Sequence, residues 1–489
     1  MAHPLRISAK SPHKFDALVK LDMNASESIS RISKLLVDSS GLSTQEALAR
    51  RESFAVTLRC GADVEQSRTL QLAVLTAANI AARCFPRAVR VVLEGRLFHA
   101  RQLAWSSIGG TLGSALSDLV GSDQVQAGAG RETAGPGLVF GNAGAVRDSL
   151  RVTFDGWIAK VGPSASVDRL PQREYCALSG VLAGALAVSE MFLSFAELSI
   201  EARRRVVGLS LWRPDLPIDD QAGLGVPVEI LPRDLWVLGL GHLGNAYLWA
   251  LAALPYTQPN ATEIYLNDFD SVEQENVETG MILTVKDEGQ LKTRICSKWM
   301  EDRGFRTRLI ERPFDSNFRC RTTPRHAEPL LALCGFDSNP ARRDLATAEF
   351  ARVMESGLGG TKDNFETISF HTLPNPRPAG ELWPDLSAAE QESQKENLDR
   401  IARSNPAYAP LGKDVCGRTE LAGKSVAVPF VGATAATLVL AEAIRLLHGG
   451  PVYTDIKIAL TDLSLRYAAT SGTYRATHLA GIGYCEANH

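Results

Sequence analysis

The sequence predicts an α/β chain made of two similarly ordered halves, and three observations carry that prediction. Apolar runs of strand length alternate with longer helix-spaced stretches, a glycine-rich turn follows one such strand directly, and two small-residue helices repeat one spacing. In the first half the alternation gives a strand over 54–58, a helix over 70–84 and a strand over 89–93. A helix over 112–120, a strand over 137–140 and a hairpin-like pair over 150–161 follow. A long helix over 177–195 and a strand over 206–211 close this half, and Pro214, Pro217, Gly223, Gly225, Pro227 and Pro232 mark a linker.

The second half opens on a buried strand over 235–238 and repeats the order: a helix from 243, a strand over 263–268, a helix over 289–300, and strands over 307–310 and 330–334. Gly180, Ala183, Leu186 and Glu190 have the same mutual spacing as Gly432, Ala435, Leu438 and Glu442, as copies of one unit would. Two unrelated helices packing closely on sheets would look the same. The resulting division is a partly helical lead-in (1–52), a first half (53–212), a linker (213–233) and a second half (234–489). Within the last, 343–427 carries Pro374, Pro376, Pro378 and a polar run over 387–403. It reads as an insertion, either an active-site element or a disordered spacer.

At roughly 150 residues per domain, 489 residues suit about two to four domains. Lys and Arg number 52 against 55 Asp and Glu, so a net charge of −3 exerts no long-range pull on nucleic acid or anionic lipid. Neither is expected as a partner. The 45% hydrophobic and 22% charged fractions belong to a folding globular chain. Residues 1–20 lack an apolar run of signal-peptide length, and apolar stretches elsewhere are interrupted within a dozen residues, so a cytoplasmic location is expected. The 8 cysteines contain no Cys-x-x-Cys pair, which argues against a disulfide framework or a cysteine zinc site.

The strand over 235–238 runs into Gly239-Leu240-Gly241-His242-Leu243-Gly244, a Gly-x-Gly-x-x-Gly turn that lets phosphate approach backbone N–H groups at a helix N-terminus. Asp268 lies 24 residues beyond Gly244 at the end of the next strand, where a carboxylate can accept ribose hydroxyls. These two features alone would fit a nicotinamide oxidoreductase, or glycines that merely tighten a turn. The residues that follow favour ATP: Asp268 and Asp270, Asn276, then Lys292, then Asp337 and Arg342 in Cys-Gly-Phe-Asp-Ser-Asn-Pro-Ala-Arg. A lysine can neutralise phosphate charge, and an aspartate at a strand end can hold Mg2+. A solvated helix lysine and an aspartate capping a helix are the plainer readings of Lys292 and Asp337.

In this order and spacing, the residues from Leu235 to about 450 resemble the adenylating domain of the ubiquitin-activating enzyme superfamily, which includes the ThiF-like and MoeB-like sulfur-carrier activators. The resemblance implies two Rossmann-like adenylation folds in one chain, forming a pseudo-dimer, with a crossover and catalytic-cysteine insertion in the second. It implies ATP and Mg2+, with Gly239, Gly241, Gly244, Asp268, Asp270, Asn276, Lys292 and Arg342 at the nucleotide and Asp337 at the metal. The family's arginine three residues after the asparagine is Thr279 here. A pre-strand arginine from the partner half contributes to the site in the family, and Arg31 is the candidate.

The resemblance also places a nucleophilic cysteine in or after the crossover, where Cys416 stands between Lys413 and Arg418, two cations that favour thiolate. Cys84, Cys176, Cys296 and Cys334 fall on apolar patterns and are expected to be buried. Cys485, with His478 and His489, sits in a tail expected to fray. The first half reads Cys60-Gly61-Ala62-Asp63 where the glycine loop should be, and is expected to bind no ATP. An active and an inactive half in one chain most resemble the bacterial activators of anti-phage ubiquitin-like conjugation operons (Bil-type). The expected activity is adenylation of the C-terminal glycine of a ubiquitin-like protein, capture on Cys416 as a thioester with Lys292 and Asp337 as catalytic residues, and transfer to a conjugating-type enzyme. The alternatives are a sulfur-carrier-type adenylyltransferase without a thioester, an NAD-dependent oxidoreductase, and a silent scaffold.

Overall fold

The computed structural model describes residues 30–488 apart from 87, 106–107, 129–134, 324–325, 386, 405–422, 424 and 471–480. Helices α1 (Arg31–Ser40) and α2 (Thr44–Glu52) lead in. Strands β1 (Val56–Cys60), β2 (Val89–Leu93), β3 (Val125–Ala127), β4 (Gly137–Phe140), β5 (Ser149–Asp155), β6 (Ile158–Pro163) and β7 (Val207–Ser210) form one sheet in the order β3-β2-β1-β4-β5-β6-β7. Helices α3 (Arg68–Cys84), α4 (Leu112–Val120) and α5 (Leu178–Phe195) belong to this half.

After β8 (Ile230–Pro232) come β9 (Leu235–Leu238), β10 (Glu263–Asn267), β11 (Arg306–Ile310), the small hairpin β12 (Thr322–Thr323) and β13 (His326–Ala327), and β14 (Leu331–Cys334). They are followed by β15 (Arg352–Leu358), β16 (Thr367–Leu373), β17 (Tyr453–Ala459), β18 (Tyr467–Thr470) and β19 (Tyr484–Glu486). The second sheet runs β11-β10-β9-β14-β15-β16-β17-β18, the order of the first with one strand added. Each sheet is parallel through its first five strands and antiparallel beyond them. The helices here are α6 (His242–Ala252), α7 (Gln274–Thr279), α8 (Lys292–Glu301), α9 (Asn339–Asp344), α10 (Ala379–Leu382), α11 (Ala388–Ser404) and α12 (Pro429–Leu447).

The two long helices are paired in role as well as in sequence. A Cβ at Gly180 would strike the Thr69 carbonyl at the start of α3, and one at Gly432 would strike His242 at the start of α6. Small residues let each helix lie close to the first helix of its own half. Glu190 accepts the Arg203 amide at 2.9 Å and pairs with Arg205, while Glu442 accepts the Tyr453 amide at 2.8 Å and pairs with Arg445. Arg205 then donates to the Leu460 and Thr461 carbonyls of the second half, and Arg445 to the Leu211 carbonyl of the first. The core is continuous across the halves, with the Phe192 and Phe430 rings 5.6 Å apart.

Four expectations change. Strands β15 and β16 lie inside the stretch read as an insertion, so only the chain after Leu373 leaves the sheet before α12. The polar run over 387–403 forms α11, opened by a reciprocal Ser387–Glu390 pair whose Ser-x-x-Glu signature was present in the sequence. Cys485 does not fray: β19 pairs antiparallel with β8, tying the C-terminal segment to the linker. Finally, α5 and α12 are long and apolar enough by composition to cross a membrane, contrary to the expected interruptions. Their apolar windows are 89% and 100% buried inside the protein, so they serve as core helices here.

Candidate functional site

Strand β9 lies between β10 and β14, where the chain departs to opposite sides, and sheets of this kind receive ligands in the crevice outside the carboxyl ends of the strands at such a switch point. The three glycines after β9 differ in what the fold demands of them. Gly239 has φ +78°, a left-handed backbone that glycine adopts freely, and packs against Phe336. A side chain on Gly244 would collide with the Gly239 carbonyl. At Gly241 a Cβ would meet nothing within 4 Å among the described residues, which give no steric reason for glycine there.

Both Asp268 oxygens accept backbone N–H groups, from Leu240 at 2.6 Å and Asp270 at 2.8 Å, so this buried carboxylate braces the glycine loop. Asp270 is half exposed and lies 3.1 Å from the Lys292 ammonium. Lys292 begins α8 and is only 7% exposed. A cation at a helix N-terminus opposes the helix dipole, so Asp270, or an anionic ligand, is its natural partner. The plain reading of a solvated lysine is set aside by this burial. Asp337 is exposed on the loop after β14. Arg342 turns from the crevice to donate to the Phe336 carbonyl at 2.8 and 2.6 Å, with Glu355 3.0 Å away. The Asn276 side chain accepts the Glu273 amide at 3.0 Å, fixing the entry to α7.

The lead-in helices and the first half close on this side of the site. Arg31 pairs with Glu275 at 3.1 Å and donates to Ser425 at 3.2 Å, and Arg51 pairs with Glu278 at 2.9 Å. Arg83 donates to the Gly280 and Leu283 carbonyls, and Asn79 to Met281 at 3.0 Å. Thr279, buried at the end of α7, is thus enclosed by arginines from the lead-in and the first half. Arg51, Arg83 and Asn79 carry no sequence signal for this contact, because their partners lie about 200 positions away. His242, the bulky residue within the glycine loop, was visible in the motif: its Nε2 is buried and has no partner among the described residues. Burial, reinforced by Arg31, drops its imidazole to about 3, so it stays neutral near pH 7.

The corresponding place in the first half is filled. Asp63 accepts the Asn142 amide at 2.8 Å and pairs with Arg169, and Gly61 lies against Asn142 too closely for any side chain. A carboxylate where phosphate would sit repels it.

Cys416 lies outside the described residues, as do His478 and His489. The other seven cysteines are free and, except for the partly covered Cys485, buried. Burial pushes the thiols of Cys84, Cys176 and Cys320 up to about 12 and raises those of Cys60, Cys296, Cys334 and Cys485. None of these suits a nucleophile that must ionise near pH 7. Among the described residues no group of three or more His, Cys, Asp or Glu is placed to hold a metal by itself. Mg2+ needs only one or two carboxylates when phosphates complete its shell, and Asp337 suits that arrangement.

Family models described as the BilD N-terminal domain and the BilD C-terminal domain match residues 55–211 and 231–450. The bacterial E1-like protein BilD of Collimonas sp. (strain OK412) is 34% identical over 437 residues, covering 87% of this chain and 90% of that one. Among solved structures, E. coli MccB aligns at 15% identity over 53% of this chain and 67% of its own, with a TM-score of 0.35. E. coli tRNA N6-threonylcarbamoyladenosine dehydratase, TcdA, aligns at 15% identity over 44% and 86%, with a TM-score of 0.28.

Proposed function

Because the chain belongs to the BilD family of bacterial E1-like proteins, we propose that its second half adenylates the C-terminal glycine of a ubiquitin-like protein. The observation that carries this reading is Gly241: at the carboxyl edge of the sheet, it leaves room that no atom of the described residues occupies, in the loop where a phosphate needs close approach to backbone N–H groups. In the reaction the substrate carboxylate attacks the α-phosphorus of ATP, the bond to the β-phosphate breaks, and pyrophosphate leaves. Lys292 would hold the phosphates, Asp268 would shape the loop beside the ribose, and Asp337 would hold Mg2+, which when bound offsets phosphate charge. Asp270 orients Lys292, Asn276 fixes α7, and Arg31 supplies positive charge from the lead-in. Arg342 contributes through the loop that carries Asp337. The two halves form an intramolecular pseudo-dimer in which the first is structural, since Asp63 and Asn142 occupy its crevice.

The thiolate of Cys416 then attacks the acyl carbonyl, AMP leaves, and the thioester passes to a conjugating-type enzyme in a cytoplasmic antiviral pathway. Elimination supports the assignment, because burial disfavours the thiolate at the buried cysteines and at the partly covered Cys485. On non-reducing gels and by intact mass, the wild type incubated with MgATP and a candidate ubiquitin-like protein is expected to form a thiol-sensitive adduct. Cys416→Ala is expected to lose the adduct and keep ATP–pyrophosphate exchange. Exchange with no adduct in the wild type would leave a sulfur-carrier-type adenylyltransferase.

The glycines give a second expectation. Gly241→Ala keeps the wild-type melting temperature and weakens ATP binding about tenfold or more, the loss expected when one phosphate contact of about 1.5 kcal/mol is blocked. Gly244→Ala forces the loop away from Gly239 and destabilises the protein by about 1–3 kcal/mol. Thermal unfolding with and without ATP separates the two, and equal effects of both substitutions would refute the distinction.

A further inference from the structure

A row of buried polar groups crosses the second sheet on the face away from α12. Glu355 on β15, His371 on β16 and Asp455 on β17 are register partners, and Glu355 is fully buried. Its Oε2 lies 2.9 Å from His371 Nδ1, and its Oε1 lies 3.0 Å from Arg342 Nε. His371 Nε2 stands 3.8 Å from Asp455, which also pairs with Arg377. The Arg342 guanidinium lies over Gly357, where a Cβ would come within 3.0–3.3 Å of it.

The usual reading of a buried ion pair is stability, yet such pairs often contribute little, because desolvation offsets the attraction. Here the donors are directed elsewhere: Arg342 Nε and Nη2 both donate to the Phe336 carbonyl, the peptide oxygen immediately before Asp337. Glu355 balances the charge that this requires. We propose that Glu355, acting through Arg342, is a positioning residue for loop 335–338. The inference rests on the adenylation reading only for the purpose of the loop, which is to present Asp337 to Mg2+.

Glu355→Gln removes the charge at constant shape. In the full-length protein without nucleotide, amide hydrogen exchange across 335–338 is expected to quicken. The ratio of ATP affinity with Mg2+ to that in EDTA is expected to fall about tenfold, as when a group supporting a metal ligand is lost, while the EDTA affinity holds. Purely structural damage would weaken both affinities together. Should Glu355→Gln fail to fold, Gly357→Ala displaces the same guanidinium and is expected to give the same pattern. Unchanged exchange at 335–338 overturns the proposal. Wild-type protein that binds no ATP in either condition would sink the adenylation reading instead, and the exchange result would still decide the role of Glu355.

Discussion

Lys292→Met lowers ATP–pyrophosphate exchange by about 10²–10³-fold, the loss typical of removing one preorganised charge from the transition state, and leaves the melting temperature almost unmoved. Methionine keeps the apolar stem that is buried at the start of α8 and removes only the ammonium. That ammonium opposes the helix dipole, and its partner Asp270 is half exposed, so water takes over the carboxylate at small cost. Stability therefore has little reason to fall. During adenylation, negative charge moves from the α-phosphorus toward the leaving pyrophosphate, and a fixed cation in a partly dry crevice stabilises that shift. Exchange kinetics with a candidate ubiquitin-like substrate, read beside thermal unfolding, make the comparison. Activity within about twofold of wild type would remove Lys292 from the chemistry.

Arg445→Met has the opposite signature and destabilises the protein by about 3–5 kcal/mol, the cost of leaving a buried charge unpaired. Glu442 and Arg445 are both fully buried, and burial raises the Glu442 carboxyl above its ordinary value even with the arginine beside it. Without Arg445, Glu442 keeps the Tyr453 amide but loses its adjacent counter-charge in the core, and the Leu211 carbonyl loses a donor reaching across the two halves. Replacing both residues, as Glu442→Leu with Arg445→Met, is expected to recover part of the loss, because the stranded charge goes too. Denaturant unfolding measures both effects. A single variant within about 1 kcal/mol of wild type would show that the pair is not what joins the halves.

Much of the architecture was readable locally. Strand–helix alternation places β1, α3, β2, β9, α6, β10 and β14 within a few residues, because apolar periodicity is a property of neighbours in sequence. The spacing match between the long helices points to two similar units, and the two sheets do share one strand order. The polar helix α11 escaped that reading because its large apolar residues are few, Leu398 packing on the core among them, and its capping pair is the clearer signal. The strands β15 and β16 escaped because they lie beyond charged and glycine-rich turns that resemble an insertion.

For the site, the sequence by itself determined the candidates, namely the glycine loop, Asp268, Asp270, Lys292 and Asp337, since each is a residue type with a chemical requirement at a strand or helix end. Only the tertiary structure decided their different standing. Asp268 is bound to the loop backbone, Asp270 is free enough to hold Lys292, and Arg342 faces a buried glutamate rather than the crevice. It alone decided that Arg31 and Arg51 of the lead-in and Arg83 of the first half enclose α7, and that Asp63 and Asn142 close the other crevice. The physical reason is range: propensity and spacing act over a few residues, whereas a charge acquires its partner only when folding brings together segments 200 positions apart.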